Sequence, residues 1–269
     1  MKKTQSIARK SKTNSGILYL YEKLVRSHPL FYFIIRSLIR FTNLFEEDAN
    51  GVAFLNLNKK VNIIDVGASD GIAIKFFNRK LKINNIICFE PNPFYQKILR
   101  KLKIKNLKIK PFGIGNSNKY EKIFFPRYKF FFKNLDLFSY TFYNKQSLLD
   151  QINFDFKFKE NISIVEKKIY LKKIRNINMK VDLIKIDVNG YELSVIKGLA
   201  EVIKRDKPAL IVESSEDIKL IDIYLKKFGF SKYSFSNKKK KFIKIKHNCS
   251  LKKILESLNI YFLQKKHLN

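Results

Sequence analysis

Histidine, cysteine, proline, glycine and acidic residues are all scarce in this chain, and each scarcity removes a class of explanation. The two cysteines of its 269 residues, Cys88 and Cys249, lie far apart and form no CxxC pair. That excludes a thiolate zinc site and a disulfide framework. Cys88 sits in an apolar run and reads as a buried free thiol, which fits a reducing, cytoplasmic setting. Six Pro and nine Gly leave no Pro/Gly/Ser linker, and no internal repeat is visible. The three histidines, His28, His247 and His267, stand outside every motif described below. No apolar run approaches the roughly 18 residues of a spanning helix. Residues 17–21 are stopped by Glu22 and Lys23, and 31–45 contain Arg36 and Arg40. Neither makes a secretory signal.

Acidic residues number 23 against 55 Lys and Arg, for a formal net charge of +32. One reading is a polyanionic partner: nucleic acid, an anionic membrane surface or an acidic glycan. The other is codon composition, because only nine of the 55 are Arg, and Ile, Asn, Phe and Tyr are abundant beside Lys. Base readout and bidentate phosphate contacts favour Arg. Both readings predict nonspecific anion binding at low salt.

Hydrophobic residues make up 45% of the chain, enough for a sizeable core. Residues 1–15 read as a frayed basic tail, and 17–45 as a helical extension broken near Pro29. Arg36 and Arg40 share one face of that extension, so it either packs on the domain or lies on anionic lipid. From Val61 the pattern alternates. Buried strands are expected at 61–66, 85–89, 107–110, 181–187 and 208–212, with an extended segment at 120–125. Helices are expected at 71–80, 94–102, 192–205, 218–227 and 251–263. Residues 232–235 and 242–246 would form a hairpin. The expected organisation is an N-terminal tail and extension (1–50), one α/β domain (51–247) and a C-terminal helix (248–269). Strands alternating with helices make a mostly parallel sheet covered on both faces, whose ligands bind outside the carboxyl ends of the strands.

The motifs fall at those ends. The first strand runs into Asp65-Val-Gly-Ala-Ser-Asp-Gly71, where Gly67 and Gly71 permit a tight turn and Ser69 or Asp70 would cap the next helix. The spacing is GxxxG rather than GxGxxG, and Asp65 and Asp70 would repel a pyrophosphate. A nucleoside cofactor without phosphates meets no such conflict. S-adenosylmethionine is one, and its sulfonium and ammonium tolerate carboxylates. The second strand ends in Glu90-Pro91, 23 residues beyond Gly67, where an acid accepts from two ribose hydroxyls. Phe112 and Ile114, after the third strand, are candidates for an adenine slot or ordinary core.

These residues occur in order with Asp182-Leu-Ile-Lys-Ile-Asp-Val-Asn-Gly-Tyr-Glu-Leu-Ser-Val-Ile-Lys-Gly198 and Pro208-Ala-Leu-Ile-Val-Glu213. Together they resemble the FkbM-type methyltransferases over about residues 52–235, most specifically through 182–198. The resemblance implies a Rossmann-like class I methyltransferase fold and S-adenosylmethionine as cofactor. It also implies O-methylation of sugars, as in polysaccharide or glycolipid biosynthesis. It places Asp65, Gly67, Ala68, Ser69 and Gly71 in the cofactor turn, with Glu90 and Pro91 on the ribose. Lys185, Asp187, Gly190 and Glu192 fall on the reaction side. Three departures stand out: Asn189 where the family commonly has Glu, Tyr191 for a small residue, and Leu171-Lys172 for a Leu-Asp pair.

A sugar hydroxyl needs its proton removed, and with no His in the motifs a carboxylate is the expected base. Asp187 and Glu192 are the candidates. Lys185, two residues from Asp187, shares its strand face and would pair with it or bind an acidic substrate. No spacing argues for a metal. The aromatic and Lys-rich segment 126–164 would cover a sugar substrate or pack as core or interface. Two alternatives remain: an RNA methyltransferase, and a basic binding protein on a degenerate scaffold. Against base-nitrogen methylation, Asp187-Val-Asn-Gly stands where such enzymes carry Asn/Asp-Pro-Pro-aromatic. The expected partner is a glycan or sugar-containing acceptor, with peripheral contact at the inner membrane face left open.

Overall fold

The structure is a computed structural model that describes residues 31, 47–156, 159–246 and 248–268. The expected helical extension at 17–45 lies outside the described residues, apart from Phe31. Two compact units form. One holds residues 122–168, and the other holds 47–121 and 169–268.

The larger unit begins with a 3-10 helix (Glu47–Phe54), then β1 (Val61–Val66), α1 (Ile72–Lys80), β2 (Ile83–Phe89), α2 (Pro93–Arg100), β3 (Leu107–Lys110) and β4 (Gly113–Ile114). The chain passes along β5 (Lys119–Phe130) into the smaller unit, which contains β6 (Lys133–Asp136) and α3 (Lys145–Asp155). It returns along β7 (Ile162–Lys172). The larger unit then resumes with β8 (Leu183–Ile186), α4 (Glu192–Gly198), α5 (Ala200–Asp206), β9 (Ala209–Glu213) and α6 (Ile218–Lys226). Last come β10 (Ser231–Ser236), β11 (Lys241–Lys244), α7 (Leu251–Ile254) and β12 (Asn259–Leu263).

The main sheet has the order β11-β10-β12-β9-β8-β1-β2-β3. Strands β9, β8, β1, β2 and β3 are parallel, while β12, β10 and β11 add on antiparallel. Successive residues point to opposite faces, so one strand feeds two cores. Ile64, Ile184 and Ile186 pack with Val195, Val202 and Ile221 on one side. Ile63, Ile86 and Leu183 pack with Ile74, Phe77 and Leu99 on the other. Helices therefore cover both faces of a Rossmann-like sheet. From β1 the chain proceeds outward through β2 and β3, then returns to build β8 on the opposite side. The order thus reverses between β1 and β8, the point of such a sheet outside whose carboxyl ends ligands bind.

The expected C-terminal helix at 251–263 is corrected. Only Leu251–Ile254 are helical, and Asn259–Leu263 form β12 in the main sheet. All five β12 residues are buried between β9 and β10. Burial on both faces erases the period-2 alternation that marks a strand. The expected helix 192–205 is broken at Leu199 into α4 and α5. There Gly198 approaches the Gly115 carbonyl so closely that a Cβ would overlap it.

The smaller unit has its own core of Tyr128, Leu137, Leu148, Ile152 and Phe156. Arg127 clasps Asp136 across β5 and β6 through two bonds of 2.6 and 3.0 Å. Of its aromatics, Phe130, Tyr140 and Phe142 pack against that core, whereas Phe131 and Phe132 are 77% and 103% exposed. Among the described residues, no helix is long and apolar enough to cross a membrane.

Candidate active site

The turn after β1 exists because two glycines accept backbone that other residues resist. Gly67 has φ 82°, and a Cβ there would overlap the Asp187 carbonyl oxygen. Gly71 has φ 78°, and a Cβ would run into Leu102 and Leu99. Neither Ser69 nor Asp70 caps α1, as the sequence had suggested; Gly71 occupies the cap position and no side chain bonds there. Ser69 instead lies at φ 49°, and its amide donates to Glu90 Oε2 at 2.8 Å. Ala68 is buried beneath the turn among Ala73, Ile74 and Phe77.

Glu90 ends β2 with its carboxylate turned inward. Oε1 accepts from the Asn92 amide at 2.8 Å, and the Gln96 side chain donates to the Glu90 carbonyl at 2.9 Å. Each carboxylate oxygen keeps a further lone pair for a hydroxyl donor. Burial pushes Glu90 up to about 7, opposed by the Asn92 and Ser69 amides. Pro91 is half-buried, and Asn92 caps α2 by accepting from the Phe94 amide.

Asp65 is fully buried, and neither of its carboxylate oxygens has a hydrogen-bond partner among the described residues. Burial raises it to about 6; Lys185, opposite it in the β1–β8 register, pulls it back down. The Lys185 ammonium lies 2.8 Å from Asp187 Oδ2, with side-chain exposures of 3% and 32%. The buried amine thus leaves a carboxylate partly exposed.

Beyond Asp187 the chain turns through Asn189 (φ 50°) and Gly190 (φ 94°). Asn tolerates this left-handed region better than Glu does, which accounts for Asn189 at that position. Glu192 is fully buried, and its Oε1 accepts from the amides of Val188 at 3.3 Å and Gly190 at 3.0 Å. Burial raises its pKa, with the Gly190 amide and the Ser215 hydroxyl working against that. Tyr191 donates to Glu121 at 3.0 Å, and Lys119 pairs with the same carboxylate oxygen.

Phe112 packs edge-on against Phe89 at 5.6 Å, and the Lys172 ammonium lies 4.7 Å above its ring. Ile114 is 1% exposed and belongs to the core with Val195 and Leu199, so it lines no open slot. The sequence reading missed the Ser69 and Asn92 amides and Lys172. Asn92 before Pro93 carries a helix-cap signal. Lys172 has none, since it reaches Phe112 only through the pairing of β4 with β7. Among the described residues, no group of three or more His, Cys, Asp or Glu is arranged to hold a metal.

The fold is a Rossmann-like sheet with a glycine turn after β1, an acid ending β2 and an acid after β8. The sequence model of the methyltransferase FkbM domain matches residues 65–232, more than half of the chain, and the chain belongs to that family. Among solved structures it is similar to a methyltransferase FkbM from Methylobacillus flagellatus KT, at 15% identity and TM-score 0.47. That match covers 76% of this chain and 44% of the other, so this chain spans less than half of that protein's length. It is also similar to M. capricolum TrmK in complex with S-adenosyl-homocysteine, at 13% identity and TM-score 0.38 over 84% of this chain and 71% of that one. None of the curated proteins compared with it matches.

Proposed function

We propose that the chain transfers a methyl group from S-adenosylmethionine to a hydroxyl of a sugar-containing acceptor, with Asp187 as proton acceptor. The observation behind the cofactor assignment is Asp65, whose buried carboxylate has no hydrogen bond on either oxygen among the described residues and has Lys185 only as a through-space cation. A buried carboxylate without partners is costly, so the site suits a cationic guest. Glu90, with a lone pair left on each oxygen, suits the ribose hydroxyls, and Phe112, with Lys172 over one face of its ring, is the candidate to flank the adenine. The bound cofactor supplies a methyl group on a sulfonium already activated for in-line displacement.

The protein's share is alignment and proton removal. Asp187 accepts the hydroxyl proton as the oxygen takes the methyl group, and S-adenosylhomocysteine leaves. Lys185 is a positioning residue that fixes Asp187 Oδ2. Glu192, the other candidate base, is enclosed and already accepts two amides, so we assign it to holding the 188–190 turn.

The net charge of +32 favours a second reading, in which the acceptor is a ribose hydroxyl of RNA. Labelled methyl transfer into separate glycan and RNA pools tests both. Label in the glycan pool supports the sugar reading, label in RNA the second, and no label in either overturns both.

A further inference from the structure

The amino ends of the strands carry a feature that methyl transfer does not use. Two adjoining clefts of about 220 and about 800 Å³ share Lys180, Asp206, Lys207 and Lys266 in their walls. Lys180 precedes β8, Lys207 precedes β9, and Lys266 follows β12, which runs antiparallel to β9. All three lysines therefore gather at the edge opposite Asp65 and Asp187.

The backbone that presents them is pinned. Arg205 donates to the Ile177 and Met179 carbonyls and to Asn176, while Asp206 accepts from the Val181 amide at 2.9 Å. These bonds hold the segment that carries Lys180. Lys207 sits at φ 48° as the residue closing α5. Its backbone is hydrogen-bonded by His267, a buried imidazole that also accepts from the Gln264 amide at 3.0 Å. Burial lowers His267 to about 4, so this clamp is neutral at physiological pH.

The acids in these walls are already engaged. Asp206 is held by Arg205 and the Val181 amide, and Asp182 accepts from Asn58 and from the Asn62 amide. Lys266 reaches the Asp206 carbonyl at 3.2 Å. Lys180 acts on Asp206 through space, behind the Arg205 and Val181 bonds that hold that carboxylate, and Lys207 shares the same walls. Lys180, Lys207 and Lys266 line both clefts, and burial, then Lys180 and Lys207, hold Lys266 below the usual lysine range against the pull of Asp182 and Asp206. Like charges held together on pinned backbone repel one another, and a compact anion relieves that repulsion while accepting from several donors.

We infer that Lys180, Lys207 and Lys266 form a binding site for a phosphate-type oxyanion at the amino edge of the main sheet, separate from the methyl-transfer edge. The ligand is either free phosphate or the terminal phosphate of a monoester.

The test is calorimetry on the full chain at physiological salt, with inorganic phosphate and with phenyl phosphate. It compares the parent, the triple variant Lys180→Gln, Lys207→Gln, Lys266→Gln, and a charge-matched control, Lys238→Gln, Lys239→Gln, Lys240→Gln. The cleft variant should bind at least about tenfold more weakly, and the control should stay within about twofold. Equal weakening in both, or no binding to the parent, overturns the site. Binding of phenyl phosphate assigns it to monoesters; binding of inorganic phosphate alone assigns it to the free ion. Acylation footprinting of the parent provides a check without mutation: phosphate should shield Lys180, Lys207 and Lys266 more than Lys238 and Lys239. Equal shielding of both sets would overturn the inference.

Discussion

Lys185 in β8 and Asp187, one residue past its end, stand two residues apart, the ammonium buried and 2.8 Å from a partly exposed carboxylate. Period-2 spacing alone brings them together. The same ammonium lies in register with Asp65, so one buried cation serves two carboxylates.

Asp187→Asn keeps the shape and removes the base. Turnover should fall by about a hundredfold or more, with cofactor affinity unchanged. Glu192→Gln keeps Oε1 as an acceptor for the Val188 and Gly190 amides, so turnover should fall by less than about tenfold. Full activity in Asp187→Asn would remove Asp187 from the chemistry. The comparison is made with labelled cofactor and isothermal binding on the same preparations.

Lys185→Met leaves Asp65 buried without its cation. The substitution should destabilise the fold by roughly 2 kcal/mol, read from urea melts. Cofactor affinity should fall with it as Asp65 takes up a proton.

The acids set a pH dependence with a definite sign. Asp65 and Glu90 are raised in the folded chain to about 6 and about 7. Between the ordinary carboxylate range and those values the folded state holds the extra protons, so their contribution to stability is greatest in acid and is lost as pH rises to about 7. His267, lowered to about 4, acts in the opposite direction, losing stability as pH falls below its usual value. The difference between parent and Asp65→Asn therefore isolates the acid. The melting temperature of Asp65→Asn relative to the parent should rise between about pH 4 and about 6 and then level off. Cofactor affinity in the parent should rise over the upper part of that interval, because the guest is bound by the ionised forms.

Gly67 and Gly190 both have positive φ but differ in surroundings. A Cβ at Gly67 overlaps the Asp187 carbonyl, whereas one at Gly190 meets nothing within 4 Å. Gly67→Ala should abolish cofactor binding or folding. Gly190→Ala should keep the fold at a cost of about 1–2 kcal/mol, visible in denaturant melts.

What was legible in the sequence is local. Strand β1, the turn at Gly67 and the pairing of Lys185 with Asp187 all follow from short-range pattern. Glu90 at the end of β2 was legible too, but its use of the Ser69 amide was not. That bond joins residues 21 apart through the register of β1 and β2. Strand β12 was read as helix because Ile260, Tyr261, Phe262 and Leu263 are all buried and show no alternation. Its neighbour β9 and the bonds from Asn259 to Asp48, 211 residues away, decide its state, and no window of sequence contains them. The cleft of Lys180, Lys207 and Lys266 was hidden for the same reason, since segments before β8, before β9 and after β12 meet there.

The most direct test of the account is calorimetry of the purified chain with S-adenosylmethionine, S-adenosylhomocysteine and NAD, repeated on Glu90→Ala. The account predicts that both adenosyl compounds bind and NAD does not. It also predicts that Glu90→Ala loses roughly 1.5–3 kcal/mol of affinity with the ribose bonds. Absence of S-adenosylmethionine binding in the parent, or NAD binding in its place, would contradict it.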